Sequence, residues 1–306
     1  MLRYALRRAF ATVPTVLAVS IVVFVMLRLL PGDPALLLAG EDAKPEVVES
    51  LRKEWGLTEP LPVQYLLFMR NVLEGNLGTS IRSGYPVSYE ISLRLPHTMR
   101  LALIAMTIAI VLGLAVGIVA STRPYSLVDN VSMLAALVGV SAPVFWTGLV
   151  LMWIFAVKLG WLPAVGVGTP AHLLLPSIAL AGFTTPVIAR QTRSSMLEVL
   201  RQDYIRTARS KGLSERTTIT RHAVRNALIP IITVAGITFG RLLGGSIVTE
   251  TVFAYPGIGK LLIDAIFARD YPIIQGTVLI YALLFTLLNL FVDLTYAYID
   301  PRIHYE

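Results

Sequence analysis

Histidine, serine and lysine would carry most enzyme chemistry in this chain, and none of them is spaced for it. His97, His172, His222 and His304 are scattered without HExxH or paired-ligand spacing, which points away from a zinc site. The absence of cysteine removes thiolate ligands, disulfides and thiol catalysis together. Gly139-Val140-Ser141-Ala142 sets a serine in an apolar stretch, as an intramembrane nucleophile would be set. It lacks the following glycine of a nucleophile elbow, and no histidine falls in an apolar span to act as its base. Gly257-Ile258-Gly259-Lys260-Leu261 has the outline of a phosphate loop, yet Ala254 stands where the first glycine belongs and Leu261 where serine or threonine belongs. What remains is charge at membrane depth, which is costly there and persists mainly for function. Arg28 lies near the outer end of the first apolar stretch and suits snorkelling, Arg241 lies well inside the fifth, and Asp293 lies near the inner end of the sixth. Arg241 and Asp293 suit either a structural pair or a water-filled pathway, and Asn289 suits a bridge between helices.

The elements that hold these residues are membrane spans. Of 306 residues, 55% are apolar and 15% charged, with a mean hydropathy of +0.70, outside the range of soluble domains. A hydrocarbon core of about 30 Å needs about 20 apolar residues per helix. Six such stretches lie near 10–30, 101–121, 131–156, 173–189, 227–248 and 273–297. The fourth is short and carries Pro176, Gly182 and Pro186, which predicts a kinked or partly re-entrant segment. The first has a basic front but too long an apolar run for a signal peptide, and Leu30-Pro31-Gly32-Asp33-Pro34 offers no small-x-small cleavage pattern, so it is expected to remain as an anchor.

Cytoplasmic segments carry the excess of Lys and Arg. Arg3, Arg7 and Arg8 precede the first span, and the loop between spans four and five carries nine basic residues, from Arg190 to Arg225, against Glu198, Asp203 and Glu215. Both termini are therefore expected in the cytoplasm, with 31–100 and 250–272 facing outward. The net charge of +7 then reflects topology, and no aromatic-interleaved basic motif points to nucleic acid. Three regions follow: the amino end with span one (1–30), an outward cap loop (31–100), and a five-span core (101–306) whose cytoplasmic loop covers about 190–226.

The cap loop shows helical periodicity over Pro45–Trp55 and Val63–Leu73, ended by Gly56 and by Gly75 or Gly78. It suits either packing on the bundle or contact with an external delivery partner. The inner loop continues span four amphipathically over Arg193–Leu200, then forms a short helix over Tyr204–Lys211. Gly212 suits a left-handed cap, and Ser214 can cap the helix leading into span five. Two short helices meeting at a glycine make a knob that a soluble protein could grip; an inner-leaflet surface for anionic lipid is the alternative.

Arg206-Thr207-Ala208, then Gly212, and later Ile229-Pro230 resemble the EAA coupling loop of ABC-importer permeases. The form is that of the dipeptide, oligopeptide, nickel and glutathione permease family, B-type subunit. The resemblance spans nearly the whole chain: LLPGDP at 29–34, GNLGTSIRSGYPVSYEISLRLPHT at 75–98, DYIRTARSKGLSE at 203–215, RHAVRNALIP at 221–230, and the motifs between 244 and 276. Two departures from the general importer motif, Arg206-Thr207 for Glu-Ala and the eighteen-residue step from Gly212 to Pro230, resemble the peptide branch.

The resemblance implies an all-α membrane protein of type I importer-like architecture with six spans. It implies a permease subunit for peptides, of the di-, oligopeptide or glutathione class, in a bacterial or archaeal cytoplasmic membrane. It further implies a homologous second permease, two P-loop ATPase subunits that hold the ATP and Mg, and an extracytoplasmic peptide-binding protein; this chain would carry no cofactor. Asp203, Tyr204, Arg206, Thr207, Ala208, Arg209, Lys211 and Gly212 would form the coupling surface, with Gly212 as the turn and Ala208 as a close-packing contact. ATP binding would draw the knobs together and open the bundle outward. Ser141, Pro143 and Trp146 in span three, with Phe239 and Arg241 in span five, are the candidates for the pathway; Arg241 would face a peptide carboxylate. A proton-coupled carrier and an intramembrane enzyme are the alternatives, and no internal repeat supports the former.

Overall fold

A computed structural model describes residues 2–29, 35–36, 44–54 and 56–299. The motif at 30–34 and Trp55 lie outside the described residues, as do the side chains of Arg3, Arg7, Arg8, Arg28 and Asp293. In chain order the helices are α1 (Leu2–Leu29), α2 (Pro45–Glu54), α3 (Leu61–Leu73), α4 (Val87–Thr122), α5 (Leu127–Ser141) and α6 (Val144–Leu151), which continues as a π-helical turn over Met152–Lys158. Then come α7 (Ala171–Leu200), α8 (Asp203–Ser210), α9 (Glu215–Thr217), a second π segment (Thr218–Ala223), α10 (Val224–Val252), α11 (Ile258–Ala268) and α12 (Tyr271–Ile299).

All six expected apolar stretches fall on helices. Among the described residues four helical runs, Val87–Thr122, Ala171–Leu200, Glu215–Val252 and Tyr271–Val292, are long and apolar enough to cross a membrane. The pair formed by α5 and α6 with its π turn makes a fifth if counted as one span, and α1 carries an apolar section over Phe10–Val25.

Two expectations are corrected. The fourth span is neither short nor re-entrant: α7 runs unbroken for 30 residues with Pro176 and Pro186 inside it. Both prolines are buried against neighbouring helices, and such packing compensates for the lost hydrogen bonds. The break falls in the third span instead. At Ala142-Pro143 the chain turns from α5 into α6 through 103°, because Pro143 has no N–H to continue the ladder and Ala142 is pushed to an extended ψ of 125°. The second span also starts earlier than hydropathy indicates. α4 begins at Val87, so its 36 residues reach about 54 Å, longer than the about 30 Å of a hydrocarbon core, and its first third is its polar part.

The core is the contact between α4 and α7, the most extensive in the molecule. A Cβ on Gly113 would lie 2.7 Å from Ile188, and one on Gly117 would lie 2.4 Å from Thr192. This small-xxx-small stripe lets the two backbones approach as closely as membrane helices do. Leu101, Ala105, Ala109, Leu175, Ile188 and Met196 fill the seam, and α10 closes it with Ala227, Ile231 and Leu243. α12 packs on α1 and α10, and α11 lies between α10 and α12.

Among the described residues, two sets of contacts show how the cap is held to the bundle. α3 lies against α1, where the Tyr65 hydroxyl shares a 2.8 Å hydrogen bond with Ser20 Oγ and Phe24 meets the rings of Tyr65 and Phe68 at 5.5 and 5.9 Å. Residues 79–82 are fixed by Asp270, which precedes α12. Its carboxylate accepts from Ser80 Oγ at 2.5 Å and from the Arg82 N–H at 3.2 Å.

Candidate functional site

The inner loop is a rigid projection. α8 buries only Ile205 (0% exposed) and Ala208 (6%), three residues apart on one face, and packs that face toward the π segment Thr218–Ala223. Asp203, Tyr204, Arg206, Thr207, Arg209 and Lys211 stand in solvent. Ala208, expected as a close-packing contact, faces into its own chain, where a small side chain lets α8 sit close.

α8 ends in a Schellman motif. Gly212 adopts φ +76°, its N–H donates to the Arg209 carbonyl at 3.0 Å, and the Leu213 N–H donates to the Ala208 carbonyl at 3.3 Å. Only glycine takes that φ without strain, so the sequence position of Gly212 fixes where the knob turns. Ser214 then caps α9, its Oγ accepting from the Thr217 N–H at 3.3 Å. Arg209 spans the turn and makes two bonds to Glu215, at 3.1 and 2.6 Å. The hydrogen bond to Glu215 raises the Arg209 guanidinium further above its ordinary value, so the clasp stays ionised. Arg206 reaches only to 3.6 Å from Asp203, with both side chains largely exposed, so each is available to a partner.

A pair that spacing alone does not reveal sits above the knob. Arg193, on the cytoplasmic extension of α7, makes a bidentate bridge to Asp129 near the start of α5, at 2.5 and 2.6 Å. Asp129 is 1% exposed and also accepts from the Tyr125 N–H at 2.9 Å, while its own N–H is capped by Ser126. The rod that ends in the knob is thus fastened to the helix that leads to the bend at Pro143. Arg193 counts in the sequence as one of many loop arginines; its partner lies 64 residues away.

The pathway candidates do not converge. Ser141 and Pro143 flank the bend, the Ser141 hydroxyl turned back to the Leu137 carbonyl at 2.9 Å, and Trp146 is 53% exposed on α6. Phe239 packs against the main core. Arg241 lines a separate, mainly apolar cleft of about 530 Å³ between α1, α10, α11 and α12, together with Thr15, Tyr281 and Thr286.

On the outer side, Glu250 is fully buried at the end of α10. Its carboxylate accepts from Thr98 Oγ1 at 2.7 Å and from the backbone N–H groups of Gly259 and Lys260 at 2.7 and 3.1 Å. Thr98 in turn accepts from the Ile258 N–H at 2.9 Å. With the Gly257 N–H donating to the Tyr255 carbonyl at 2.8 Å, all four amides of the phosphate-loop-like run 257–260 have acceptors inside the chain, two of them on the Glu250 carboxylate at the start of α11, which leaves them nothing for a phosphate. Two long sequence motifs, 75–98 and 244–276, meet through Glu250 and Asp270.

The description "binding-protein-dependent transport system inner membrane component" belongs to a family profile that matches residues 109–305, and a companion N-terminal profile matches 1–102. The dipeptide transport system permease protein DppB of Alkalihalophilus pseudofirmus is 46% identical over 333 aligned positions, and the glutathione transport system permease protein GsiC of Pectobacterium atrosepticum is 47% identical over 306; both alignments cover 100% of each chain. In fold the chain is similar to a solved chain of the MetNI methionine ABC transporter in an inward-facing conformation, with a TM-score of 0.60 at 18% identity, over 69% of this chain and 97% of that one. A chain of an amino acid ABC transporter matches with a TM-score of 0.56 at 16% identity, over 69% and 95%.

Proposed function

The chain belongs to the family of binding-protein-dependent transport system inner membrane components, a permease family of multi-pass membrane proteins, and from that premise we propose that it carries peptides inward by accepting mechanical work at α8. The substrate class is taken from the relatives: one is named for dipeptide and another for glutathione transport, both aligned along their full lengths. The partners proposed are a homologous second permease, two P-loop ATPase subunits that bind ATP and Mg, and an extracytoplasmic peptide-binding protein.

The observation that carries the coupling assignment is the construction of the knob. Asp203, Tyr204, Arg206, Thr207 and Lys211 form an exposed polar face on a helix whose other face is buried and whose end is locked by Gly212. A force applied to that face acts on α10 through the π segment on which α8 packs and on α7 through the two-residue turn at Arg201-Gln202, and through Arg193 it reaches α5 as well. Such a device transmits rigid-body motion rather than absorbing it. Ser141, Pro143 and Trp146 at the bend, with Phe239 and Arg241, remain the proposed pathway residues, Arg241 as the cation that meets a peptide carboxylate.

The test is a Gly212→Asp variant reconstituted with its partner subunits. An aspartate at φ +76° strains the backbone by about 1 kcal/mol, too little to prevent insertion, and places a branched charge at the turn. ATP hydrolysis is expected to persist while peptide uptake per ATP falls sharply. Normal uptake per ATP would remove α8 as the coupling element.

A further inference from the structure

We infer that α3 (Leu61–Leu73) is an interfacial helix lying in the outer leaflet, with Leu66 and Leu73 in the acyl region and lipid, rather than protein, covering them. The first observation is where α3 is anchored. Its contacts to α1, the Tyr65 hydroxyl on Ser20 and the two rings on Phe24, fall inside the apolar section Phe10–Val25 of that helix. Ser20 and Phe24 are 0% and 2% exposed beneath it. A span places its apolar section in hydrocarbon, so a helix seated on that section lies beside the bilayer edge and not above it in water.

The second observation is the distribution of side chains around α3. Tyr65 and Phe68 face α1. Pro62, Leu66, Met69 and Leu73 follow a four, three, four spacing and share the adjacent face, where Leu66 is 66% and Leu73 83% exposed. Gln64 and Asn71 lie on the far side with the C-capping Glu74, and Arg70 pairs with Glu74 at 3.0 Å in solvent. Leu67 rests against the turn at Gly56. With α1 at its flank, the helix turns Leu66, Met69 and Leu73 toward the bilayer and Asn71 and Glu74 toward water, the part-exposed Val63 and Leu67 lying on the polar side, an arrangement that suits a helix in the interfacial plane. The section of α1 that holds α3 itself exposes apolar side chains, Leu17, Ile21 and Val25 among them, as a lipid-facing span does.

The chain has no cysteine, so single cysteines can be placed without removing any. Spin labels on Leu66→Cys, Leu73→Cys and Asn71→Cys, read in the full chain with its native partners in lipid nanodiscs, report collisions with oxygen, which concentrates in lipid, and with a water-soluble nickel chelate. Labels at 66 and 73 are expected to show a gain in oxygen collisions and a loss of nickel collisions relative to the label at 71. Nickel collisions equal to those at 71 would place the face in water and overturn the inference. Loss of both kinds of collision would show a protein surface covering it and would overturn it equally. Leu73→Trp in lipids brominated on the acyl chains gives an independent reading against the parent chain, whose four tryptophans set the background: the added emission is expected to be quenched, and added emission that escapes quenching counts against the helix lying in the leaflet.

Discussion

Gly212 and Glu250 are both single residues on which a long element depends, and they differ in how openly the sequence announces them. Glycine ahead of a Ser-initiated helix is a local signal, and both the left-handed turn and the Ser214 cap stand where spacing places them. Glu250 has partners 152 and 9 residues away, so no window along the chain shows it as a buried acceptor. Its removal has a definite consequence. Glu250→Ala leaves the N–H groups of Gly259 and Lys260 without their acceptor, a loss of roughly 1–3 kcal/mol for a buried polar group, whereas Glu250→Gln keeps an acceptor oxygen. Thermal denaturation of the purified protein is expected to show a clear drop in Tm for alanine and a smaller one for glutamine. Arg241 belongs to the same scale with the opposite character, being exposed in an apolar cleft. Arg241→Ala is expected to reduce peptide uptake several-fold, as loss of a charge-assisted hydrogen bond to a carboxylate does, with basal ATP hydrolysis still present. Unchanged uptake in proteoliposomes would take Arg241 out of the pathway.

Helices were legible in the sequence wherever hydropathy changes over about 20 residues, and their shapes were not. α2 and α3 fall within a few residues of the periodic stretches at 45–55 and 63–73, and Gly56 and Gly75 take left-handed φ after them. Proline, however, is an ambiguous sign. Pro176 and Pro186 leave α7 unbroken because neighbouring helices support it, while Pro143 marks a 103° turn, and a string of apolar letters looks the same in both cases. The tie between α5 and α7 is likewise a matter of elements rather than of letters, since Asp129 and Arg193 meet only when the two helices pack. A double-mutant cycle with Asp129→Ala and Arg193→Ala, read as thermal stability, is expected to give an interaction energy above the roughly 1 kcal/mol ceiling of exposed pairs, because Asp129 is almost wholly buried. A value near zero would mean that the bridge holds nothing.

For the molecule as a whole, the ordered motifs gave the family and the charge asymmetry gave the expected orientation, because both are properties of the chain taken end to end. How the pathway is lined is legible in neither. The candidates on α6 and α10 sit in different surroundings within this subunit, Trp146 on an exposed face and Arg241 in a cleft with α1 and α12. A conduit assembled from two subunits leaves each with half of its wall exposed, and the proposed heterodimer fits that condition. Affinity purification of the chain from its native membrane is expected to recover a second permease and P-loop ATPases; recovery of the chain alone in mild detergent would count against the proposed assembly.

The bend between α5 and α6 also divides a length that would otherwise suffice. Leu127 to Lys158 would make a straight helix of about 48 Å, more than the hydrocarbon core requires. The elbow that Pro143 imposes leaves two arms, Leu127–Ser141 and Val144–Lys158, each about 22 Å and too short to cross alone. An elbow of this kind falls at membrane depth, where the carbonyls it frees need protein or water for partners, because lipid offers none.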